Sequence, residues 1–524
     1  MLVGQIIDRA ARRVPDKIGL ISGERSYTFR QMGDRVNRLA NAFLDMGLKK
    51  GDRVATLIPS TPEFHETFFA TAKAGLVLVP INYLYMGEEI TYAVNNVKAS
   101  ALVVDERYLD KVEAIRSKLP SVKHYITTGE LATAANYEQL LAKYPSDSPK
   151  VNISHEDLAL ILYTSGTTAR PKGVMHTHRS SYAFIVACGP MLHIQPEKDI
   201  CLIMAPSYHI AGAPKVVATT YFLDTAIIME SFDPKAFLQA VERHKVTTIF
   251  SPLVPRMLTR LLDDPDFGKY DLSSLRSVFI GVNLIPYPLL KRTLEAFGPK
   301  VFNLYGTTEA SGVMTLMEPG ELRLNLPPDK VRIYESCGRE ATFLEGEIRV
   351  VNETGRDVVP GEIGEILCRG DGVMKGYWGM PEETAKVIDS DGWYHSGDLA
   401  TVDEEGYIYV KGRETDMIRS GGENISPIEV EEVISRHPGV KEVAVIGVPD
   451  EEWGEAVKAV VVLREGEKAS EEEIIQFCKQ HLASFKKPKS VDFIDELPIV
   501  GSGTMRVSRG KLRELYGKAT KGGN

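Results

Sequence analysis

The sequence predicts an α/β protein of more than one domain, and three observations carry this prediction. The 524-residue chain exceeds the length at which a single hydrophobic core stops growing, so two or more domains are expected. Helix-like and strand-like segments alternate through the first half, as in parallel sheets with crossover helices. The pattern then changes twice, to short antiparallel strands between about residues 345 and 409 and, after Gly412, to a compact α+β unit.

The alternation in the first half rests on the spacing of apolar residues. Helix-like residue patterns predict helices at 63–73, 90–97 and 237–244. Short apolar runs, rich in β-branched residues, predict strands at 76–79, 101–104, 158–162, 247–250, 277–280 and 300–302. Because the strands are separated by helices, they are expected to pair in parallel.

The second half contains two smaller units. Turns rich in Gly, Asp and Pro bound predicted strands at 347–351 and 362–368, which is typical of an antiparallel sheet. After residue 412 we expect helices at 427–436 and 471–483 and strands at 440–448 and 456–463. Ser470 and Glu473 have the spacing of a capping box at the start of the last helix.

Composition excludes several classes of protein. Hydrophobic residues at 43% and charged residues at 25% are ordinary for a globular protein, and a net charge of -9 argues against general nucleic-acid binding. The five cysteines are scattered and contain no C-x-x-C pair. No apolar run is long enough to span a bilayer. We therefore expect a cytoplasmic protein with reduced thiols, without nucleic acid and without a membrane span.

The most informative stretch is residues 163–173, Y-T-S-G-T-T-A-R-P-K-G, directly after an apolar run. Glycine lets backbone N–H groups approach an anion, hydroxyl groups donate hydrogen bonds, and Lys172 supplies positive charge. This is the composition of a loop that binds phosphate. The spacing is not that of a Walker A loop, because Lys172 is followed by Gly173 rather than by Ser or Thr.

The order T-S-G-T-T-x-x-P-K-G resembles the signature of the adenylate-forming acyl-CoA synthetase superfamily. Three further motifs follow in the family's order: Y-G-T-T-E at 305–309, W-Y-H-S-G-D at 393–398 with K-G-R at 411–413, and S-G-G-E-N-I at 420–425. A P-x-x-H segment occurs at 206–209. The resemblance covers nearly the whole chain.

The resemblance implies roles for individual residues. Lys172 holds the departing pyrophosphate, together with the loop residues Thr164, Ser165, Gly166, Thr167 and Thr168. In the second motif Tyr305 stacks on adenine beside Gly306 and Thr307, Thr308 binds the α-phosphate, and Glu309 is the metal ligand for the Mg²⁺ that accompanies ATP. A hard carboxylate oxygen suits Mg²⁺, and an aromatic face suits a purine.

Other implied roles concern the ribose, the acyl group and CoA. Asp398 and Arg413 contact the ribose, and His209 borders the acyl site. The residues expected to line the pantetheine tunnel are Gly421, Gly422 and Glu423. The implied substrates are ATP, CoA and a carboxylic acid, and the oligomeric state stays open, a homodimer being one option.

The implied fold has a large N-terminal domain of two βα lobes plus a distorted β-barrel and a small, mobile α+β C-terminal domain. We place the N-terminal domain at 1–412, a hinge at 413–416 and the C-terminal domain at 417–524. The family usually has Asp or Lys two places after the arginine, where this chain has Thr415.

Three positions depart from the family pattern. Thr504 stands where the family has the lysine that bridges carboxylate and phosphate during adenylation. Ala169 replaces a usual glycine, and G-V-N-L at 281–284 replaces G-G-A-P. Loss of one charge contact in a transition state typically costs about 10²- to 10³-fold in rate. The hypothesis is that adenylation is impaired while thioester formation from a ready-made acyl-adenylate is retained.

Three functional readings follow. The first is an acid–CoA ligase for a medium-chain, branched or aromatic acid, because Gly306 stands where acetate-specific relatives carry a bulky aromatic residue. The second is an adenylating enzyme that passes its acyl group to an acceptor other than CoA. The third is a non-catalytic nucleotide-binding relative, which the Thr504 change keeps open.

Overall fold

The structure is a computed structural model that describes residues 1–164, 171–281, 285–341, 346–420, 423–450, 452–500 and 506–516. Its strands, numbered in chain order, are β1 Ile18–Ser22, β2 Arg25–Thr28, β3 Arg53–Leu57, β4 Val77–Pro80, β5 Ala101–Val104, β6 His124–Thr127, β7 Ala135–Asn136, β8 Leu158–Thr164, β9 Lys172–Thr177, β10 Ile200–Ile203, β11 Thr225–Ile228, β12 Thr248–Leu253, β13 Ser277–Gly281, β14 Val301–Tyr305, β15 Thr315–Met317, β16 Arg339–Glu340, β17 Gly346–Val351, β18 Gly364–Gly370, β19 Gly376–Tyr377, β20 Tyr394–Val402, β21 Ile408–Arg413, β22 Ile418–Ser420, β23 Glu423–Ile425, β24 Val440–Asp450, β25 Gly454–Leu463, β26 Ser490–Phe493, β27 Ile499–Val500 and β28 Arg506–Val507.

The α-helices follow the same convention. They are α1 Gln5–Arg13, α2 Phe29–Asp45, α3 Pro62–Ala74, α4 Gly87–Asn96, α5 Leu109–Glu113, α6 Tyr137–Lys143, α7 His178–Met191, α8 Lys215–Phe222, α9 Pro234–His244, α10 Pro255–Leu262, α11 Tyr287–Phe297, α12 Pro381–Ala385, α13 Pro427–Ser435, α14 Glu471–His481 and α15 Arg509–Tyr516. In the part of the chain that is described, no helix combines the length and the apolar character needed to cross a bilayer.

Two large sheets form the N-terminal part of the molecule. One has the strand order β16-β15-β14-β13-β12-β10-β11-β1-β2, and the other has the order β19-β9-β8-β4-β3-β5-β6-β7. The central pairs of both sheets are parallel, whereas β14, β15 and β16 pair antiparallel at one edge and β8, β9 and β19 do so in the other sheet. The predicted pair of βα lobes is therefore confirmed.

Helix α3 lies at the centre of the N-terminal part, and all thirteen of its residues are buried. It begins with Pro62 at its first turn and ends at Ala74, and the next residue, Gly75, has a φ of 70° in the left-handed region. The main hydrophobic cluster includes Phe64, Phe68 and Phe69 from this helix, together with apolar residues from both sheets. Burial on all sides explains why α3 shows little amphipathic contrast.

A third, smaller sheet stands where the sequence predicts the distorted barrel. It has the order β17-β18-β20-β21, and its pairs are antiparallel. In the register of the last pair, Asp398 lies opposite Arg413. The backbone pairing therefore places these two functional candidates side by side.

The C-terminal part contains its own sheet of strands β22 to β26, with α13 and α14 packed on it. Ile418, Val430 and Ile474 belong to its separate hydrophobic cluster. The capping box of α14 is present, because the Ser470 hydroxyl accepts from the Glu473 N–H at 3.2 Å and the Glu473 carboxylate accepts from the Ser470 N–H at 2.6 Å. The boundaries at 412 and 417 stay predictions.

Several element boundaries differ from the predicted ones for local reasons. Helix α4 begins at Gly87 rather than at residue 90, because the Glu89 carboxylate accepts the Met86 N–H at 2.8 Å and extends the first turn. Strand β8 continues through Thr164 and pairs with β9, which begins at Lys172. The predicted loop at 163–173 is thus shorter, and its centre at 165–170 lies outside the described residues.

Candidate active site

Asp398 on β20 is the centre of one group of polar side chains. It is buried, and its Oδ2 accepts a hydrogen bond from the Tyr305 hydroxyl at 2.6 Å. Its Oδ1 lies 3.2 Å from Nε of Arg413 on β21. That distance makes an ion pair but not an aligned hydrogen bond, since Arg413 Nε is buried without a hydrogen-bond partner within the described ranges. An unsatisfied donor beside a carboxylate is suited to receiving a bound polar group.

The burial of Tyr305 also has an electrostatic consequence. Burial, and then the negative charge of Asp398, raise the pKa of the Tyr305 phenol well above its usual value of 10.0. The phenol therefore remains protonated and continues to donate to Asp398 at any physiological pH.

The segment after Tyr305 is held by backbone packing. Thr307 caps the short 3₁₀ turn Thr308–Ala310, and its Oγ1 accepts from the Ala310 N–H at 3.2 Å. A Cβ added to Gly306 would lie 2.4 Å from the carbonyl oxygen of Gly312. The close approach of two backbone segments therefore favours glycine at 306 in this chain.

A second group of side chains runs from Glu309 to Lys172. The Tyr377 hydroxyl donates to Glu309 Oε1 at 3.0 Å, and Lys172 Nζ lies 4.9 Å from the centroid of the Tyr377 ring. Lys172 also donates to Oε2 of Glu383 on α12 at 2.7 Å. Hydrogen bonds from Lys172 and then from Lys386 lower the pKa of Glu383 to about 2, so that carboxylate is ionised at neutral pH.

The hairpin of β8 and β9 positions Lys172. Thr164 and Lys172 are opposite each other in the ladder, and the Thr164 hydroxyl donates to the Lys172 carbonyl at 3.5 Å. The predicted phosphate-binding residues between them lie outside the described residues: Ser165, Gly166, Thr167 and Thr168. The same is true of Ala169 and of Thr504.

His209 is partly buried after β10, and its Nδ1 accepts from the Ala211 N–H at 3.2 Å. Burial lowers the pKa of His209 to about 4, so the imidazole is neutral at pH 7. No hydrogen bond or ion pair joins His209 to Asp398 or to Lys172 in the described ranges. His209 thus lies shortly before the N-terminus of α8 and belongs neither to the group around Asp398 nor to the group around Lys172.

The predicted CoA residues are on the C-terminal side. Glu423 is exposed at the start of β23 and makes no ion pair with the Asp398 or Lys172 groups among the described residues. Gly421 and Gly422 lie outside those residues. The assignment of this segment to CoA stays a prediction.

Sequence reasoning missed two members of the site, Tyr377 and Glu383. Tyr377 reaches Glu309 because the two-residue strand β19 pairs with β9 next to Lys172. Glu383 is brought to Lys172 by α12, more than two hundred residues away in sequence. Neither residue belongs to a spaced motif, so only the long-range pairing of β19 with β9 reveals them.

Comparison with known proteins agrees with this geometry. Residues 7–378 match the family model of the AMP-binding enzymes, and residues 429–504 match the model of the AMP-binding enzyme C-terminal domain. The chain belongs to the adenylate-forming acyl-CoA synthetase superfamily. The predicted family, fold class and AMP-forming ligase chemistry with ATP, Mg²⁺ and CoA are thereby confirmed.

Individual relatives cover almost the entire chain. A feruloyl-CoA synthase from Amycolatopsis sp is 38% identical over 521 residues, which are 97% of this chain and 98% of the relative. An anthranilate CoA ligase solved with anthranoyl-AMP has a TM-score of 0.88 at 27% identity, covering 98% of this chain and 97% of its own. ATP-bound MatB from Rhodopseudomonas palustris also has a TM-score of 0.88, at 30% identity and 99% coverage of both chains.

Proposed function

We propose that this adenylate-forming enzyme activates a carboxylic acid larger than acetate, of medium-chain, branched or aromatic type, and transfers the acyl group to CoA. The observation that carries the proposal is the convergence of two polar groups on one segment. Tyr305 joins that segment to Asp398 and Arg413, and Glu309 joins it to Tyr377. A nucleotide with its ribose at Asp398 and its phosphates toward Lys172 fits this order.

The first half-reaction forms an acyl-adenylate. A carboxylate oxygen of the acid attacks the α-phosphorus of ATP, and the bond from that phosphorus to the bridging oxygen breaks to release pyrophosphate. In this proposal Thr308 donates to the α-phosphate, and Lys172 stabilises the charge of the leaving pyrophosphate. Lys172 must exchange its contact with Glu383 for the phosphate in this step.

The second half-reaction forms the thioester. The sulfur of CoA attacks the acyl carbonyl carbon, the bond from that carbon to the AMP oxygen breaks, and the thiol proton passes to solvent. AMP is a good leaving group, so no nucleophilic side chain is needed. His209, neutral at pH 7, borders the acyl group in this proposal and carries no charge to it.

The residues present fit a magnesium ion delivered with ATP. Glu309 offers a hard carboxylate oxygen, and one of its two oxygens already accepts from Tyr377, which fixes the orientation of the group. No cluster of three or more metal-ligating side chains occurs in the described ranges, as expected where substrate phosphates complete the coordination. When bound, Mg²⁺ would neutralise phosphate charge, and Glu309 would be the residue that holds it.

We also propose that the hinge between the two half-reactions lies at residues 413–416. Arg413 is held by Asp398 on the N-terminal side, whereas Asp416 Oδ1 lies 3.0 Å from Nη2 of Arg513 on the C-terminal side. The rotation is therefore expected at Glu414 and Thr415, which lie between the two anchors. A pivot requires compatible φ and ψ more than a charge, so Thr415 is compatible with this role.

Contacts between the two parts favour such rotation. Arg256 pairs with Glu496 at 2.8 Å and Arg436 pairs with Glu335 at 3.4 Å, and all four side chains are substantially exposed. Exposed ion pairs contribute about 0 to 1 kcal/mol each, so they are broken at small cost.

For the cellular location of the protein, we propose the cytoplasm, because all five cysteines are free, as in a reducing compartment.

A panel of carboxylic acids assayed for CoA-dependent release of AMP tests the proposal. The chain and its Thr504→Lys variant are compared with acetate, hexanoate, 3-methylbutanoate, benzoate and 4-hydroxycinnamate, and the acyl-CoA product is identified by mass spectrometry. We expect thioester from at least one of the larger acids and little from acetate. Thioester from acetate alone would contradict the substrate class.

The same panel separates the other two readings. Hydroxamate formed from trapped acyl-AMP, without any CoA thioester, would indicate an acceptor other than CoA. ATP binding without turnover of any acid, even in Thr504→Lys, would support a non-catalytic relative. Thioester formed only when acyl-AMP is supplied directly would show that the chain performs the second half-reaction and that adenylation is the impaired step.

A further inference from the structure

A buried lysine follows His209 by six residues and belongs to neither polar group. Lys215 is the first residue of α8 and is 3% exposed. Its Nζ lies 4.5 Å from the centroid of the Phe250 ring and 5.0 Å from that of Phe184. Within the described ranges, no carboxylate forms an ion pair with Lys215, and burial lowers the pKa of its amino group. The nearby Cys188 thiol is neutral, because burial raises its pKa to about 11.

Lys215 is connected to the candidate site through Phe184. A Cβ added to Gly312 would lie 3.6 Å from Phe184 Cε2 and 3.3 Å from Ile210 Cγ1, so both side chains pack on Gly312. The Gly312 N–H in turn donates to the Thr307 carbonyl at 2.7 Å. Phe184 therefore lies between the Lys215 ammonium and the segment that carries Thr308 and Glu309.

The backbone also links Lys215 to His209. The Lys215 N–H donates to the Gly212 carbonyl at 3.1 Å, and the Gly212 N–H donates to the His209 carbonyl at 2.9 Å. A compact turn thus fixes the distance between the histidine assigned to the border of the acyl group and the lysine at the start of α8.

An ammonium in these surroundings calls for an explanation. Buried charges in proteins are normally paired or hydrogen-bonded, and leaving one without a partner costs free energy. Two phenylalanine rings offset part of that cost through cation–π attraction. An apolar side chain such as Met would pack in the same space without that cost, so a purely structural role does not favour lysine here.

We propose that Lys215 determines specificity by binding an oxygen acceptor at the distal end of the acyl group, such as a second carboxylate, a carbonyl or a phenolic hydroxyl. The inference rests on the proposed function and narrows its substrate class to acids that carry such a group. Phe184 and Phe250 would contact the apolar body of the same acid. The ammonium then gains the partner that it lacks among the described side chains.

Binding of acyl-adenylate analogues tests this without depending on adenylation. The probes are 5′-O-(N-acylsulfamoyl)adenosines carrying a 3-phenylpropanoyl, a 3-(4-hydroxyphenyl)propanoyl or a 3-(4-carboxyphenyl)propanoyl group, and their dissociation constants are measured by calorimetry. Of the two probes that carry an oxygen acceptor, the one that binds more tightly should have a dissociation constant about 10-fold or more below that of the 3-phenylpropanoyl probe. A desolvated hydrogen bond to a charged group is expected to change the dissociation constant by about this factor. Lys215→Met should reduce this ratio to about 1, and Lys215→Arg should retain part of it.

Thermal melting of the same variants provides a second readout. Removing an unpaired buried charge should leave the melting temperature of Lys215→Met equal to or above that of the parent chain. A lower melting temperature with an unchanged ratio of dissociation constants would overturn the inference and assign Lys215 a structural role. Tight binding of all probes without preference in the parent chain would overturn the inference alone, whereas no binding of any probe would overturn the proposed function together with it.

Discussion

Lys172 Nζ lies 2.7 Å from Glu383 Oε2, while Lys386 donates to the other oxygen of the same carboxylate at 2.5 Å. In the proposed function, Lys172 stabilises the leaving pyrophosphate. On that proposal, Glu383 pairs in the free protein with the positive charge that the phosphates of ATP would bind. The hydrogen bonds that lower the pKa of Glu383 to about 2 keep this competition present throughout the physiological pH range.

Glu383→Gln should increase the affinity for ATP by releasing Lys172. Lys172 and Glu383 are both only partly buried, so solvent screens the pair and it is worth roughly 0.2 to 1 kcal/mol. The KM for ATP is therefore expected to fall by about 1.5- to 5-fold. Steady-state kinetics with varied ATP measure this change. Glu382→Gln is the matched control, because Glu382 is exposed and forms no ion pair with Lys172 among the described residues. An equal effect of both substitutions would mean that overall charge, not the contact, is responsible.

Tyr305→Phe should weaken nucleotide binding while keeping the aromatic ring. The substitution removes the 2.6 Å hydrogen bond to Asp398 and lets that carboxylate move away from the proposed position of the ribose. We expect the KM for ATP to rise by about 2- to 10-fold with a smaller change in kcat. Tyr144→Phe removes a comparable bond to Asp45, at 2.8 Å in a remote part of the N-terminal domain, and should change neither constant.

Gly306→Ala should destabilise the protein by about 1 to 3 kcal/mol, because the new Cβ would meet the Gly312 carbonyl oxygen at 2.4 Å. Urea denaturation followed by tryptophan fluorescence measures the change, and ATP affinity should fall with it. Gly268→Ala is the control, since nothing lies within 4 Å of its added Cβ. If the Gly306→Ala variant were as stable as the parent chain but preferred shorter acids, Gly306 would instead act in substrate selection alone.

Asp224 should make stability fall as the pH rises. It is fully buried, its Oδ1 accepts from the Asp199 N–H at 3.2 Å, and its Oδ2 has no hydrogen-bond partner within the described ranges. Burial, and then the charge of Asp199, raise the pKa of Asp224 from 3.8 to about 8. Between these values the folded chain holds a proton that the unfolded chain releases, so stability present below pH 4 is lost as the pH approaches 8.

Urea midpoints at pH 5.5 and pH 7.5 check this prediction. The free energy of unfolding of the parent chain should fall by about 1 to 3 kcal/mol between these two pH values. In Asp224→Asn the side chain is neutral at both pH values, so its free energy of unfolding should change less. Asp34→Asn removes an exposed carboxylate from α2 and should reproduce the behaviour of the parent chain. An identical pH dependence in Asp224→Asn would mean that another group is responsible.

Local patterns were sufficient for most of the fold. The strand at 101–104 and the capping box of Ser470 depend on neighbouring residues only, and both appear as predicted. The ends of elements were less certain where a side chain several residues away decides them, as Glu89 does for α4. The small antiparallel sheet was predicted from its turns, but its register, which pairs Asp398 with Arg413, was not.

The candidate site divides in the same way. Motif residues such as Tyr305 and Asp398 were found from sequence, and their 2.6 Å contact supports grouping them. Glu383 and Tyr377 were missed because an unspaced acid or tyrosine carries no signal until pairing across the fold places it. Lys215 was missed because sequence does not reveal that a lysine at the start of an apolar helix is buried without a carboxylate among the described residues.

Thr504→Lys should restore adenylation. The family has lysine at this position to bridge the attacking carboxylate and the phosphate, and one such charge contact in a transition state is worth about 10²- to 10³-fold in rate. We therefore expect acid-dependent exchange of pyrophosphate into ATP to rise by about 100-fold, with the rate of thioester formation from supplied acyl-AMP nearly unchanged. Ser502→Lys adds the same charge two residues away and should give no comparable gain. Pyrophosphate exchange at a normal rate in the parent chain would contradict the hypothesis, because it would mean that the bridging cation is not needed here.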